Sequence, residues 1–355
     1  MAPAEAAATD PNGARLSIVT RSLFLLALLP AAWGQTPRIG DINFYGLRKT
    51  TGEKILSALQ LRAGGALPAS KGGMEERIEE IPGVVEARVE AICCEGASVN
   101  LFIGIEEKGA PHFDYRPPPA GAATLPAELM DTYHSLLTAV QRAAQAGNTA
   151  EDLTAGHSLM ADPAARALQE NLAGFAAEHV DQLRDVLRTG SEPEERAVAA
   201  AVIGYAPAKA AVINDLQYAL QDGDDAVRAN AVRSLKAIGV LASTQPGLGI
   251  RIQPTWFVEM LNSIVLSDRL QAVDALMVLT DQGNAAALDL MRDRALASLA
   301  EMARWKTLHY ALPPFLLVGR IAGMPDAEIQ RSWENGDRET VIKKALATAA
   351  KGKRG

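Results

Sequence analysis

The chain of 355 residues is 48% hydrophobic and 22% charged, the balance of an ordinary folded protein with room for two or three domains. A formal charge of −7 and only 5% aromatic residues argue against a surface built to grip phosphates or stack bases, so no nucleic-acid partner is expected. Two cysteines are too few for the disulfide framework of a small secreted domain.

Residues 1–34 read as a signal peptide region. Arg15 and Arg21 precede the apolar run SLFLLALLPAAWGQ, and the small residues Ala32 and Gly34 suit cleavage before Gln35. The run is too short to cross a bilayer comfortably, an uncleaved anchor being the alternative, and no later stretch approaches the ~20 apolar residues a membrane helix needs. The mature chain is therefore expected to be exported and to carry no transmembrane segment.

Residues 37–109 form a compact unit. IGDINFYGL (39–47) alternates like a strand and stops at Gly46. GEKILSALQL (52–61) has helical spacing and runs into Gly64 and Gly65, which can close it. KGGMEERIEEI (71–81) is a second short helix, ended by Pro82-Gly83. In the next segment Val85, Ala87, Val89 and Ala91 point one way and Glu86, Arg88 and Glu90 the other, and VNLFIGIEE (99–107) repeats the two-residue period. The order is strand, helix, helix, strand, strand. That order, with INFYGLRKTTGEKILSALQLRAGGAL, IEEIPGVVEARVE and VNLFIGIEE, resembles the POTRA domain of outer-membrane assembly factors, two-partner secretion transporters and septum proteins. In family terms Gly46 ends the first strand, Gly64 follows the first helix, Pro82-Gly83-Val84 opens the second strand and Glu106 closes the last. The CysCys step and the absence of tandem copies depart from the family.

Three strands with helices on one face leave unpaired edges, to which an extended segment of another protein can add. The resemblance implies that such pairing takes place at Val84, Val85, Glu86, Ala87, Arg88, Val89 and Glu90, and that the partner belongs to the outer membrane or to envelope assembly. The alternative is that Glu86, Arg88 and Glu90 form a solvated face that discourages pairing. Cys93 and Cys94 fall at the turn end of this hairpin, with Glu95-Gly96 completing the bend, and are either a strained vicinal disulfide or two reduced thiols.

Residues 110–127 hold Pro111, Pro117, Pro118, Pro119 and Pro126 and read as a semi-rigid linker. From Leu129 the pattern is helical throughout, in a domain placed at 128–345 and followed by a basic tail at 346–355. Arg196, Ala199 and Ile203 have the same spacing as Arg228, Ala231 and Leu235, and as Arg269, Ala272 and Leu276. Each instance follows a cap-like stretch: Ser191 with Glu194 spaced as a capping box, then Asp222-GDD, then Ser267-Asp268. Each is followed by a second apolar helix, at Ala211, Thr255 and Ala286, and a weaker fourth copy begins at Leu308. This array, and DDAVRANAVRSLKAIG (224–239) most closely, resembles HEAT repeats, including the shorter HEAT-like repeats of phycobiliprotein lyases. The resemblance implies an α-solenoid, an ordinary helical bundle being the alternative, in which Arg196, Arg228 and Arg269 pair with acidic neighbours between repeats rather than line a surface. The fold class is thus α+β: a small β-α-α-β-β module joined by a proline-rich linker to an all-α solenoid.

No catalytic constellation emerges. The histidines at 112, 134, 157, 179 and 309 are scattered, without metal-ligand spacing, and neither a nucleophile elbow nor a dinucleotide loop is present. No metal or cofactor is expected. Trp256, Phe257, Trp305, Tyr310 and Phe315 are either core or, if exposed together, a ligand groove. The function expected is a non-enzymatic protein-interaction scaffold or adaptor, periplasmic or associated with the outer membrane. The alternative is a lyase-like or other enzyme with a pocket in the helical domain. A third reading has the strand module dock only on its own solenoid.

Overall fold

A computed structural model describes residues 37–95, 98–281 and 283–352, with the side chains of residues 94, 95, 351 and 352 outside the described set. Residues 1–34, where a signal peptide is expected, lie outside the described residues. The N-terminal module comprises β1 (Arg38–Tyr45), α1 (Gly52–Leu59), α2 (Lys71–Glu79), β2 (Val84–Glu95) and β3 (Ser98–Glu107). Its sheet has the order β1-β3-β2, with β1 parallel and β2 antiparallel to the central β3. One face buries Ile39, Ala87, Val89, Leu101, Ile103 and Ile105 against Ile55 and Leu59 of α1 and Met74 and Ile78 of α2. Each full burial of a side chain this size contributes about 2 kcal/mol before the entropy of ordering it.

Local chemistry sets the joints of the module. Thr51 and Ser70 cap the two helices by accepting from the N–H groups of Lys54 and Gly73. The glycines at 64 and 65 do not close α1, which ends at Leu59 with Gln60 in the left-handed region. They instead pair with β1: Gly64 N–H donates to Ile39 O at 2.7 Å and Ile39 N–H to Gly65 O at 2.9 Å, which covers part of that strand's outer edge. β3 ends on Glu107, one residue beyond the glutamate expected there. The Glu107 carboxylate is buried and accepts the backbone N–H groups of Arg48, Lys49 and Thr50 at 2.8–3.0 Å. Burial acts to raise its pKa, but these three donors win and hold it below the usual carboxylate range.

β2 differs from its sequence reading in two ways. It runs on to Glu95, so the cysteines lie within the strand rather than in the turn. A bulge between Val84 and Glu86 displaces Val85, which is 58% exposed instead of sharing the inward face of Ala87 and Val89.

The helical half begins with α3 (Ala127–Gln145), a hairpin of β4 (Glu151–Asp152) and β5 (Leu159–Met160), α4 (Pro163–Glu178) and α5 (Val180–Thr189). It continues with α6 (Pro193–Ile203), α7 (Lys209–Ala219), α8 (Asp225–Thr244), α9 (Thr255–Met260) and α10 (Leu266–Thr280). The last elements are α11 (Ala285–Arg294), α12 (Leu296–Ala303), α13 (Leu308–Ile321), α14 (Asp326–Glu334) and α15 (Arg338–Gly352). The β4–β5 hairpin falls between the sequence breaks at Gly147-Asn148 and Asp162-Pro163, where the pattern leads one to expect helix. α15 carries the helix past 345 into the basic segment, with Ile342 and Ala345 buried.

Helices α6, α8, α10, α13 and α15 stack in succession, and α5, α7, α9 and α11 pack beside them in a second row. This is solenoid stacking, and the phased residues explain it. Ala199, Ala231 and Ala272 are fully buried and let neighbouring axes approach, while Ile203, Leu235 and Leu276 fill the shared core. Two of the expected caps are otherwise used. α6 starts at Pro193 with no side-chain cap from Ser191, and Asp268 lies inside α10 as a buried ion-pair partner; only Asp224 caps, accepting from the N–H groups of Ala226 and Val227.

Residues 110–127 are extended, but they are not a spacer. Phe113 and Leu125 are buried in the helical core. Arg116 N–H donates to Gln221 O at 2.7 Å, and its guanidinium lies 3.5 Å from the centroid of the Tyr218 ring. Gly121 exchanges backbone bonds with Thr189 and Ser191, and Leu125 N–H donates to Glu195 Oε2 at 2.7 Å. The segment is a strap laid along the array.

The sheet face away from α1 and α2 docks on the far part of the array. Asn43 Nδ2 donates to Thr307 Oγ1 at 2.8 Å, its Oδ1 accepts Lys306 N–H at 2.7 Å, and Trp305 Nε1 donates to Phe44 O at 2.8 Å. Phe102 lies edge-on to Trp305 and Tyr310 at 5.0 and 5.5 Å between centroids. Tyr45 crosses Gly104, where a Cβ would sit 2.2 Å from the ring, and its hydroxyl donates to Ile264 O at 3.0 Å. Only glycine leaves room for that ring. Gly104→Ala is therefore expected to destabilise the docked protein by about 1–3 kcal/mol, the usual cost of overpacking, seen as a lower denaturant midpoint by Trp fluorescence. An unchanged midpoint would show that the ring is not wedged on the strand.

Candidate interaction site

β2 is the outer strand of the sheet on the side away from β1. Its paired residues alternate, so the N–H groups of Ala87, Val89 and Ala91 point away from β3. Two of these three do not face water. Val89 N–H donates to Glu75 Oε1 at 2.8 Å and Ala87 N–H to Glu79 Oε1 at 3.0 Å, both carboxylates reaching over from α2. Glu86, Arg88 and Glu90 project from the other face, where Arg88 pairs with Glu86 at 2.8 Å and Glu90 with Lys71 at 2.8 Å. Val84 is half-buried against the module core and Val85 is exposed. The seven edge residues thus lie together on one strand, and among the described residues no element of the array pairs with its backbone. At its far end Cys93 is exposed and disulfide-bonded, and the side chain of Cys94 lies outside the described residues.

The array presents a second constellation. Arg196, Arg228 and Arg269 are each the fourth residue of α6, α8 and α10, and all three are buried. A cation in the first turn meets the positive end of the helix dipole, so it needs compensation. Arg196 has it in full: two bonds to Asp222, at 2.8 and 2.9 Å, and two to the carbonyls of Gly190 and Ser191. Arg228 repeats the pattern with Asp268 at 2.9 Å and the carbonyls of Asp222 and Gly223. Its guanidinium lies 4.4 Å from the centroid of the Tyr115 ring on the strap, and the Tyr115 hydroxyl contacts Ser263 and Asp268. Burial, then the charge of Asp268, pushes that hydroxyl up to about 12.

Arg269 departs from its two predecessors. Nε donates to Ser263 O at 2.5 Å, but among the described residues no carboxylate bonds it and Nη1 has no partner. Burial lowers its pKa to about 10, with Glu301 the chief opposing charge. Glu301 is instead claimed by the module, accepting from Arg48 Nη1 at 2.7 Å and Gly46 N–H at 3.0 Å. The Tyr45 ring covers Arg269 at 4.8 Å. Strap and module therefore each set a tyrosine on a ladder arginine. Sequence spacing finds the three arginines, while the acids at 222 and 268 read there as caps because nothing local distinguishes a cap from a partner one repeat away.

The polar cluster under the β4–β5 hairpin holds Lys209. It is buried, donating to Gly204 O at 2.7 Å and lying 3.1 Å from His157 Nδ1. Burial lowers its pKa to about 8, and burial with the nearby lysine lowers that of His157. Glu151 bonds Ser158 and Arg233 and fixes the hairpin to α8. Phe257, Trp305 and Phe315 are core, and Trp256 borders a cleft of about 170 Å³ between strap and α9, where Arg294 and Glu259 pair at 2.5 Å. Among the described residues no group of three or more His, Cys, Asp or Glu could hold a metal ion, and no helix is long and apolar enough to cross a membrane.

Asp268→Asn keeps the shape of the ladder but strands a buried guanidinium, and is expected to cost about 3–5 kcal/mol in denaturant unfolding. Arg269→Met removes a cation that has no carboxylate and should cost less than about 2 kcal/mol; equal losses would contradict the asymmetry. Lys209 binds fewer protons folded than unfolded, so its contribution to stability rises with pH between about 8 and the ordinary 10.5. Lys209→Met should flatten that rise and add about 1–3 kcal/mol near pH 7; an unaltered pH profile of the unfolding midpoint would refute the assignment. No curated protein matches the chain. Residues 180–247, which span the first two ladder arginines, match the family model of HEAT repeats.

Proposed function

We propose that this protein is a non-enzymatic interaction scaffold of the bacterial cell envelope. The HEAT-repeat match supports a protein partner, since stacked helix pairs of this kind present extended surfaces to other proteins. The apolar run before Gln35 and the resemblance of residues 37–109 to the POTRA domain support export, a periplasmic or outer-membrane-associated location and a partner in envelope assembly. In this reading the partner adds an extended segment to β2 and also meets the array.

One observation carries the strand-addition reading. The outer edge of β1 is closed by Gly64–Leu67 backbone and by Trp305, which leaves β2 as the available edge. Ala91 is exposed, and its N–H points outward without serving the β3 ladder. Proline at such a position removes an outward donor and spares the sheet. Ala91→Pro in the full chain should fold normally yet lose at least about nine-tenths of the partner captured from envelope extracts by the unsubstituted protein. Equal capture by both forms would sink strand addition at β2.

A further inference from the structure

We infer that the β2 edge selects extended segments carrying lysine or arginine at alternate positions; this rests on the strand-addition reading above. The edge is not an open row of backbone groups. Glu75 and Glu79 occupy the outward N–H groups of Val89 and Ala87, in the places the carbonyl oxygens of an added strand would take. An arriving strand supplies those carbonyls and releases both carboxylates.

Among the described residues one cation, Lys71, pairs with Glu75, and none pairs with Glu79. Lys71, 3.9 Å from Glu75, is held by Glu90 at 2.8 Å, and Arg88 is held by Glu86. Glu76 on the same helix and Glu80 just past its end are also exposed, with Arg77 between them, so residues 75–80 hold four acids and one base. Further compensation then has to come from the partner. The geometry suits it: residues two apart on a strand are about 6.8 Å apart, and Glu75 and Glu79, four apart on a helix, are separated by a rise of about 6 Å. Alternate side chains of the added strand fall on the α2 side of the sheet and step in register with the two glutamates. An apolar partner strand would leave Glu79 without a cation beside it.

The test is fluorescence anisotropy with the full chain and three labelled nine-residue peptides of alternating pattern. All have Val and Thr on one face, and the other face carries Lys, Gln or Glu. The Lys peptide should bind at least about tenfold more tightly than the Gln peptide, the Glu peptide more weakly still, and the gap should shrink with salt. Glu75→Gln with Glu79→Gln keeps an acceptor for each amide; it should bring the Lys-to-Gln ratio below about threefold while the Gln peptide still binds. Backbone N-methylation should abolish binding of every peptide. Equal binding of the Lys and Gln peptides, or a preference that survives the double substitution, overturns the basic selectivity and leaves strand addition standing. A Lys peptide that binds regardless of N-methylation is held by diffuse charge, which also overturns it. If no peptide binds, strand addition itself falls, and the selectivity with it.

Discussion

A buried guanidinium at the positive end of a helix is tolerable only where carbonyls and carboxylates surround it, and the helical half is organised around meeting that demand three times. Arg196 and Arg228 draw on an aspartate from the next repeat and on the turn just before their own helix, so each ties three successive segments together. The spacing of repeats follows from the reach of these side chains as much as from the alanine and leucine contacts beneath them. At Arg269 the supply of carboxylates ends, and the strand module completes the environment with the Tyr45 ring. Module, strap and array are thereby one structure, although the sequence presents them as beads on a string.

The sheet solves the problem of exposed edges differently on its two sides. β1 is closed by backbone from the Gly64–Leu67 turn and by an indole from the array. β2 is closed only by carboxylates, which can leave without unfolding anything. Natural sheets blunt edges with charge and bulges, and β2 has both, with Val85 thrown outward beside capped amides. Such protection suppresses casual aggregation and yields to a partner that satisfies the same groups.

Much of the architecture was legible because it is periodic. The two-residue period of residues 99–105 and the recurrence of Arg-x-x-Ala-x-x-x-Ile/Leu report the sheet and the stacked helices directly. The structure adds that Phe44, Tyr45 and Phe102 make β1 and β3 apolar on both faces, so that something must cover the second face. What covers it was not legible, because Trp305 and Thr307 lie more than two hundred residues away and carry no motif. The strap misled for a related reason. Proline-rich composition forbids regular structure but says nothing about whether Phe113, Tyr115 and Leu125 find a surface. The glutamate caps on β2 are not legible either, because acids on a short helix look like solvated charge until the strand beside them is placed.

The docking contacts also have a consequence in time. They join residues separated by 219 to 264 positions, so on a growing chain the strand module is complete long before its seat exists. Until the first turn of α13 has been made, the face bearing Tyr45 and Phe102 stays uncovered. The two buried asparagines at 43 and 100 soften that face while it waits. The strap, made next, must lie down on helices not yet synthesised. Assembly is therefore retrograde: α12 and the start of α13, made more than two hundred residues later, are what let the first strands come to rest.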